Sequence, residues 1–165
     1  MLQMEYERRW RMDDVSVFAG HIPTMISQAY LFVNGGWCVR VRRSFRAGAV
    51  RDQESSGHNT LAVKGPREDG ARIEYPWEIP PEVAIELYRL APYKLVKSRY
   101  QVVSAGQLWD IDRLWHENEG LVIAECETEK PNAHIVPPSW CLEEVTSERR
   151  YDNENLAKYP FRQWT

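Results

Sequence analysis

The chain has 165 residues, 43% hydrophobic and 27% charged, at a net charge of -3, which is enough apolar material for a core, excludes a disordered chain, and leaves no general basic field for double-stranded nucleic acid. Cys38, Cys126 and Cys141 form no CxxC pair and His21, His58, His116 and His134 are scattered, which argues against a disulfide framework or a structural zinc site. With no signal-like leader and no apolar run of bilayer length, a reducing cytoplasmic location without membrane contact is expected.

Most of the chain alternates with period two. In MEYERRWRM, Glu5, Glu7, Arg9 and Arg11 form one set and Tyr6, Arg8, Trp10 and Met12 the other, so a strand here carries one almost purely charged face. AYLFV and WCVRVRR flank Asn34-Gly35-Gly36, a hairpin signal, and in the second run Arg40 and Arg42 oppose Val39 and Val41. The polar, Gly- and Ser-containing stretch 46–59 reads as a loop. Next, Lys64 opposes Leu61 and Val63, and Arg72, Glu74 and Glu78 oppose Ile73, Tyr75, Trp77 and Ile79. PPEVAIELYRLAP predicts a helix, with Pro81 in its first turn, Pro92 ending it, and Val83, Leu87, Leu90 and Ala91 at helical spacing.

Further on, Lys97 and Arg99 oppose Val96, Tyr100 and Val102; Asp110 and Asp112 oppose Trp109 and Ile111; Glu125 and Glu127 oppose Val122, Ala124 and Cys126. YDNENLAKYP predicts one short helix capped by Asp152 or Asn153. The whole reads as a mainly β (α+β), antiparallel protein of about eight strands with a few helices. Trp10, Trp77 and Trp109 are expected to pack between the sheet and those helices, and Asp110 to be exposed or capping.

Any one charged face is most simply a solvated outer face. Here, however, like signs are doubled along strand after strand, and like charges at same-face spacing repel unless opposite charge lies between them. A sheet curled with these faces inward would enclose carboxylates and cations that cannot stay dry and unpaired. Grouped carboxylates suit hard divalent cations, and grouped Arg and Lys suit phosphates. Together they are the apparatus of phosphoryl transfer, and GxxxxGK[ST] is absent.

The ordered motifs resemble the CYTH domain, or triphosphate tunnel metalloenzyme, superfamily. Glu5, Glu7 and Arg9 stand where that family has Glu-x-Glu-x-Lys; QAYLFVNGGWCVRVRR, LAVKGPREDGARIEYPWEIP, LVKSRYQV, LWDIDRLWHENEGLVIAECE and WCLEEVTSERRYDNENLA are similar to its later elements in order. The resemblance covers nearly the whole chain and implies a single domain over 1–165, built as an eight-stranded antiparallel β-barrel tunnel with a few flanking helices. It implies Mg²⁺- or Mn²⁺-dependent hydrolysis of a triphosphate, either inorganic tripolyphosphate or an organic triphosphate.

Carried over by position, Glu5, Glu7, Glu125 and Glu127 would bind metal, with Glu74 and Asp112 assisting. Arg9, Arg40, Arg42, Lys64, Arg72, Lys97 and Arg99 would bind the phosphate chain, and Arg9 and Glu127 would take part in catalysis. Glu144 and Arg150 are expected to pair near the tunnel mouth. Three positions depart from the family's pattern: Arg9 replaces its lysine, Pro76 an acidic residue and Leu142 a glycine. Because arginine effectively cannot give up its proton, a tunnel that binds triphosphate or polyphosphate without cleaving it is the alternative. A class IV-type adenylate cyclase is another, though no adenine site is evident.

Overall fold

The computed structural model describes residues 1–48, 57–131 and 133–164. Its strands are β1 (Gln3–Met12), β2 (Thr24–Asn34), β3 (Trp37–Arg46), β4 (His58–Glu68), β5 (Ala71–Glu78), β6 (Tyr93–Ser104), β7 (Gln107–Leu114) and β8 (Val122–Glu127). Helix α1 (Pro81–Leu90) follows β5, and helix α2 (Asn153–Lys158) lies near the C-terminus. The strands close into a barrel in the order β1-β5-β4-β3-β2-β6-β7-β8, with every neighbour antiparallel. This is the expected eight-stranded architecture. Much of the loop expected over 46–59 lies outside the described residues.

Local chemistry sets the strand register. Gly35 and Gly36 both have positive φ, 58° and 81°, and Asn34 faces Trp37 across the turn. A two-residue hairpin needs that left-handed backbone, and glycine adopts it at little cost. Gly70, at φ +80°, is fixed by space as well: a Cβ there would meet the Glu7 carbonyl oxygen at 2.6 Å. β1 is shared along its length. Its first half pairs with β5, while beyond it Arg9 and Arg11 exchange backbone hydrogen bonds with residues 142–145. The C-terminal segment is thereby drawn onto the barrel wall.

The outer face is covered unevenly. α1 seats Ala84 and Ala91 against Ala29 and Val41, with Leu87 and Tyr88 beside them. Its packed face is therefore Ala84, Leu87 and Tyr88, continued by Ala91 just past its end, whereas the expected Val83 and Leu90 are 42% and 63% exposed. The small alanines let the helix lie close to the sheet. Trp10 and Trp109 are buried with Met12, Phe18 and Ile111, each such side chain contributing roughly 1.5–3 kcal/mol. The cover there is the short 3-10 helix Val15–Phe18 and the segment carrying Ile135 and Trp140. Trp77 departs from expectation: it is 48% exposed and stacks on Tyr75, with ring centroids 6.2 Å apart.

Inside the barrel the character changes along its axis. Leu95, Leu114 and Ile123 follow the faces of Lys97, Asp112 and Glu125 by two-residue steps, and Lys97 is directly opposite Leu114, Asp112 opposite Ile123. These apolar residues cluster with Val145, Tyr151 and Leu156 of the C-terminal segment. One end of the barrel is closed by this apolar contact, and α2 is held against β6 and β2.

Candidate active site

The expected charged side chains meet inside the barrel. A cavity of about 70 Å³ is lined by Arg40, Arg42, Lys64, Arg67, Arg72 and Arg99 together with Glu5, Glu7, Glu125, Glu127 and Glu154, and by Tyr30 and Asn153. Its lining is almost wholly polar, as alternation on eight strands requires when the charged faces turn inward. A wider opening of about 400 Å³ shares Glu7, Arg99, Glu125 and Glu127 and adds Gln101, Gln107 and Asp110. This is the tunnel mouth.

On the β3–β4–β5 side, Lys64 Nζ lies 2.7 Å from Glu5 and 3.3 Å from Glu74, and Arg40 Nη2 lies 2.9 Å from Glu74. Burial would raise the Glu74 carboxyl, but the neighbouring Glu5 carboxyl, Lys64 and Arg40 bring it down to about 2. Burial and Arg40 lower Lys64. Arg72 donates to the Gly65 carbonyl at 2.7 Å and pairs with Glu154 at 2.6 Å.

On the β6–β7–β8 side, Arg99 pairs with Asp112 at 2.7 Å, Glu125 at 2.6 Å and Asp110 at 2.8 Å. Lys97, fully buried, pairs with Asp112, and burial lowers its ammonium. Arg42 sits across from Gln28, whose amide oxygen, turned toward it, accepts at 3.0 and 3.1 Å. Burial, then Arg40 and Arg99, push Arg42 down to about 10.

Of the expected phosphate ligands, Arg9 and Lys97 do not line the cavity; Lys97 stands behind Arg99 on Asp112, whereas Arg9 turns to the C-terminal segment. Arg9 is 1% exposed and bound to Asp152 at 2.8 Å and to the Tyr151 carbonyl at 3.0 Å. Glu144 and Arg150 do not pair with each other: Glu144 takes Arg8 at 2.6 Å, and Arg150 takes Glu148 at 3.0 Å. Asp110, expected to be exposed or capping, is bound by Arg99 and Gln101.

The sequence reading missed Arg67, Asp152 and Glu154 as site residues. Arg67 pairs with Glu7 at 2.8 Å and Asp152 at 3.2 Å. Simple alternation from Lys64 would turn it outward. A register shift between Lys64 and Arg67 reverses the parity, and the Gly65-Pro66 pair inside the strand is the signal for that bulge.

Among the described residues, no three acidic, histidine or cysteine side chains stand close enough to form a ready metal cage. The donor chemistry nevertheless fits a hard divalent cation. Glu7 lies directly opposite Glu127 in the β1–β8 pair, and Glu125 is one step along β8's inner face. Burial, then Glu7 and Asp112, push Glu125 up to about 7. Burial, Asp110, Glu5 and Glu7 raise Glu127 as well. Against the effect of burial, Glu7 is instead lowered by Arg67, Arg9 and Lys64.

An inorganic triphosphatase of Acetivibrio thermocellus is 38% identical over 137 residues, spanning 82% of this chain and 81% of the relative. The chain belongs to the CYTH, or triphosphate tunnel metalloenzyme, superfamily. The fold agrees with that membership. A solved inorganic triphosphatase structure superposes with a TM-score of 0.63 at 23% identity, covering 93% of both chains. A Pyrococcus horikoshii protein superposes with a TM-score of 0.53 at 18% identity, covering 77% of this chain and 80% of the other. No family model matches the chain. No helix among the described residues is long and apolar enough to cross a membrane.

Proposed function

We propose that this protein is a phosphohydrolase that cleaves a linear triphosphate in its barrel with Mg²⁺ or Mn²⁺. The observation that carries this reading is the convergence of six cations and five carboxylates on one narrow cavity inside the barrel. Inorganic tripolyphosphate is the substrate we favour. The cavity is lined by a single aromatic residue, Tyr30, among the described residues, which leaves little surface for stacking a nucleobase. The name of the Acetivibrio relative supports the same choice.

Arg40, Arg42, Lys64, Arg72 and Arg99, which line the cavity, would share the phosphate oxygens, the guanidinium forks giving direction as well as charge, with Lys97 adding positive charge from behind through Asp112. All of these but Arg42 are held in place by Glu74, Asp112 or Glu154 and need little rearrangement when charge builds up on the leaving phosphate. Glu5, Glu7, Glu125 and Glu127 would hold the metal, and Glu74 and Asp112, each gripped by two cations, would reach it only through water. The bound metal would supply charge neutralisation of the phosphate chain. Glu127, exposed at the mouth with a raised pKa, would orient the attacking water and accept its proton. Three free cysteines, two of them buried, suit a reducing cytoplasm.

The test is orthophosphate release from tripolyphosphate with Mg²⁺ or Mn²⁺, repeated with EDTA, and product analysis with ATP. Metal-dependent release supports the reading. Tight binding without release would instead establish a triphosphate-binding protein, and cyclic product from ATP would establish a cyclase.

A further inference from the structure

Arg9 lies on the same face of β1 as Glu5 and Glu7, yet it is not among the side chains lining the cavity. Its guanidinium is committed to the C-terminal segment. Nη1 donates to the Tyr151 carbonyl at 3.0 Å, and Nη2 donates to Asp152 Oδ1 at 2.8 Å and the Thr146 carbonyl at 3.3 Å. Nε has no hydrogen-bond partner and stands 3.9 Å from Glu7. Asp152 is equally committed. It occupies the N-cap position of α2, where a carboxylate commonly accepts helix N–H groups, but makes no side-chain cap bond. Its Oδ1 accepts from Arg9 and Arg67 instead.

The next two residues enter the tunnel. Asn153 Oδ1 is 3.5 Å from Lys97 Nζ, and Glu154 pairs with Arg72 at 2.6 Å. α2 has six residues, too few to hold itself as an isolated helix. Tertiary contacts must place it. Leu156 supplies an apolar one; Arg72 with Glu154 and Asn118 on the Leu156 carbonyl supply polar ones along the helix, and Arg9 with Asp152 supplies the one at its start.

We infer that Arg9 is a positioning residue: through Asp152 it fixes the start of α2, and so the places of Asn153 and Glu154 in the tunnel, and does not itself bind phosphate. The arginine fork meets three acceptors at once, whereas a lysine ammonium at the same place could not span them all. The effect on substrate rests on the triphosphate reading; the effect on α2 does not.

Hydrogen exchange and steady-state kinetics on the full chain test this with Arg9→Lys, Asp152→Asn and the double variant. In each single variant, amide exchange over 151–158 should accelerate about tenfold or more while the barrel strands keep their protection. KM for tripolyphosphate should rise about three- to tenfold with kcat within about twofold, and the double variant should go no further than the larger single effect. Arg9→Lys combined with Asp152→Glu, which lengthens the acid as the base shortens, should restore much of both. Wild-type exchange over 151–158 in Arg9→Lys would overturn the inference. So would a raised KM in Arg9→Lys with no change in Asp152→Asn, the pattern of a direct phosphate ligand. If no form hydrolyses any triphosphate, the proposed activity fails, and the exchange data with their additivity still decide the role of Arg9.

Discussion

Arg99 grips Asp112 with a fork: Nε donates to Oδ1 and Nη2 to Oδ2, each at 2.7 Å, from directly opposite positions on β6 and β7. Lys97 donates to the same Oδ2. Burial alone would raise Asp112; Arg99 and Lys97 hold it well below the usual carboxylate range. One carboxylate therefore fixes Arg99 at the cavity wall and Lys97 behind it, so the positions of both charges are set before substrate arrives.

Arg99→Ala should consequently cost both stability and binding. It leaves Asp112 with Lys97 alone and removes a cation from Glu125, and breaking a buried pair on one side destabilises by roughly 3–5 kcal/mol. Tripolyphosphate affinity should fall about tenfold or more, the loss of a charged hydrogen-bonding group. Arg99→Lys should recover part of the stability and little of the fork's geometry. Urea unfolding and calorimetric titration measure the two effects; a stable Arg99→Ala that binds normally would remove Arg99 from the site.

The tryptophans give a sharper contrast than their spacing suggested. Trp109 is fully buried, edge-on to both Trp10 and Trp140 with centroids 5.3 Å away, so Trp109→Ala should destabilise by about 3–5 kcal/mol. Trp77 stands 48% exposed, and Trp77→Ser should cost under about 1 kcal/mol. Equal losses in denaturant midpoint would mean that something covers Trp77 in solution.

What could be read from the chain, and what could not, follows from how each residue receives its position. Strand faces are legible because alternation is local: Arg40 and Arg42, or Glu125 and Glu127, share a side whatever lies around them. The barrel then brings those sides together. Arg67 was illegible by the same rule, since one bulge reverses its parity. Trp77 and Val83 misled for a different reason. Hydrophobicity marks a face that could be covered, but the length and path of the covering segment decide whether it is, and α1 lies mainly over β2, β3 and β4. Asp152 reads as a helix cap by type and position. Its true partners, Arg9 and Arg67, lie 143 and 85 residues away, and no local pattern carries that information.

Glu125 makes stability depend on pH in the metal-free protein. Its folded-state pKa of about 7 lies above the usual carboxylate value, through burial and then Glu7 and Asp112. A raised acid binds its proton more tightly in the fold, so its contribution is fully present below about pH 4.5 and is lost as pH rises through about 7. In EDTA the melting temperature should fall between about pH 5 and 8 on this account, by up to about 3 kcal/mol of stability. Glu125→Gln should flatten that slope, and saturating Mg²⁺ or Mn²⁺ should oppose it, because the metal favours the ionised carboxylate. A wild-type slope unchanged by Glu125→Gln would show that this carboxyl is not the titrating group.

Arg42 should behave in the opposite way to Arg99, because its surroundings are opposite. Gln28, with its amide oxygen turned to the guanidinium, can accept hydrogen bonds but offers no charge, and burial with Arg40 and Arg99 lowers the Arg42 pKa to about 10. It remains charged at pH 7 in both folded and unfolded chains, but a depressed basic pKa means that the fold holds this charge at a cost. Arg42→Gln removes the charge and keeps a polar side chain against Gln28. The ligand-free variant should therefore be more stable than wild type, by on the order of 1–2 kcal/mol once solvent screening is allowed for. The same uncompensated charge is what an incoming phosphate would meet, so tripolyphosphate affinity should drop about ten- to a hundredfold. Added tripolyphosphate should raise the wild-type melting temperature far more than the variant's, by mass action on the folded state. Thermal melts with and without tripolyphosphate, in metal-free buffer, read both halves at once. A variant less stable than wild type without ligand would show that Arg42 is already balanced by charge, and an equal ligand-induced shift in the two proteins would place the phosphate chain elsewhere in the barrel.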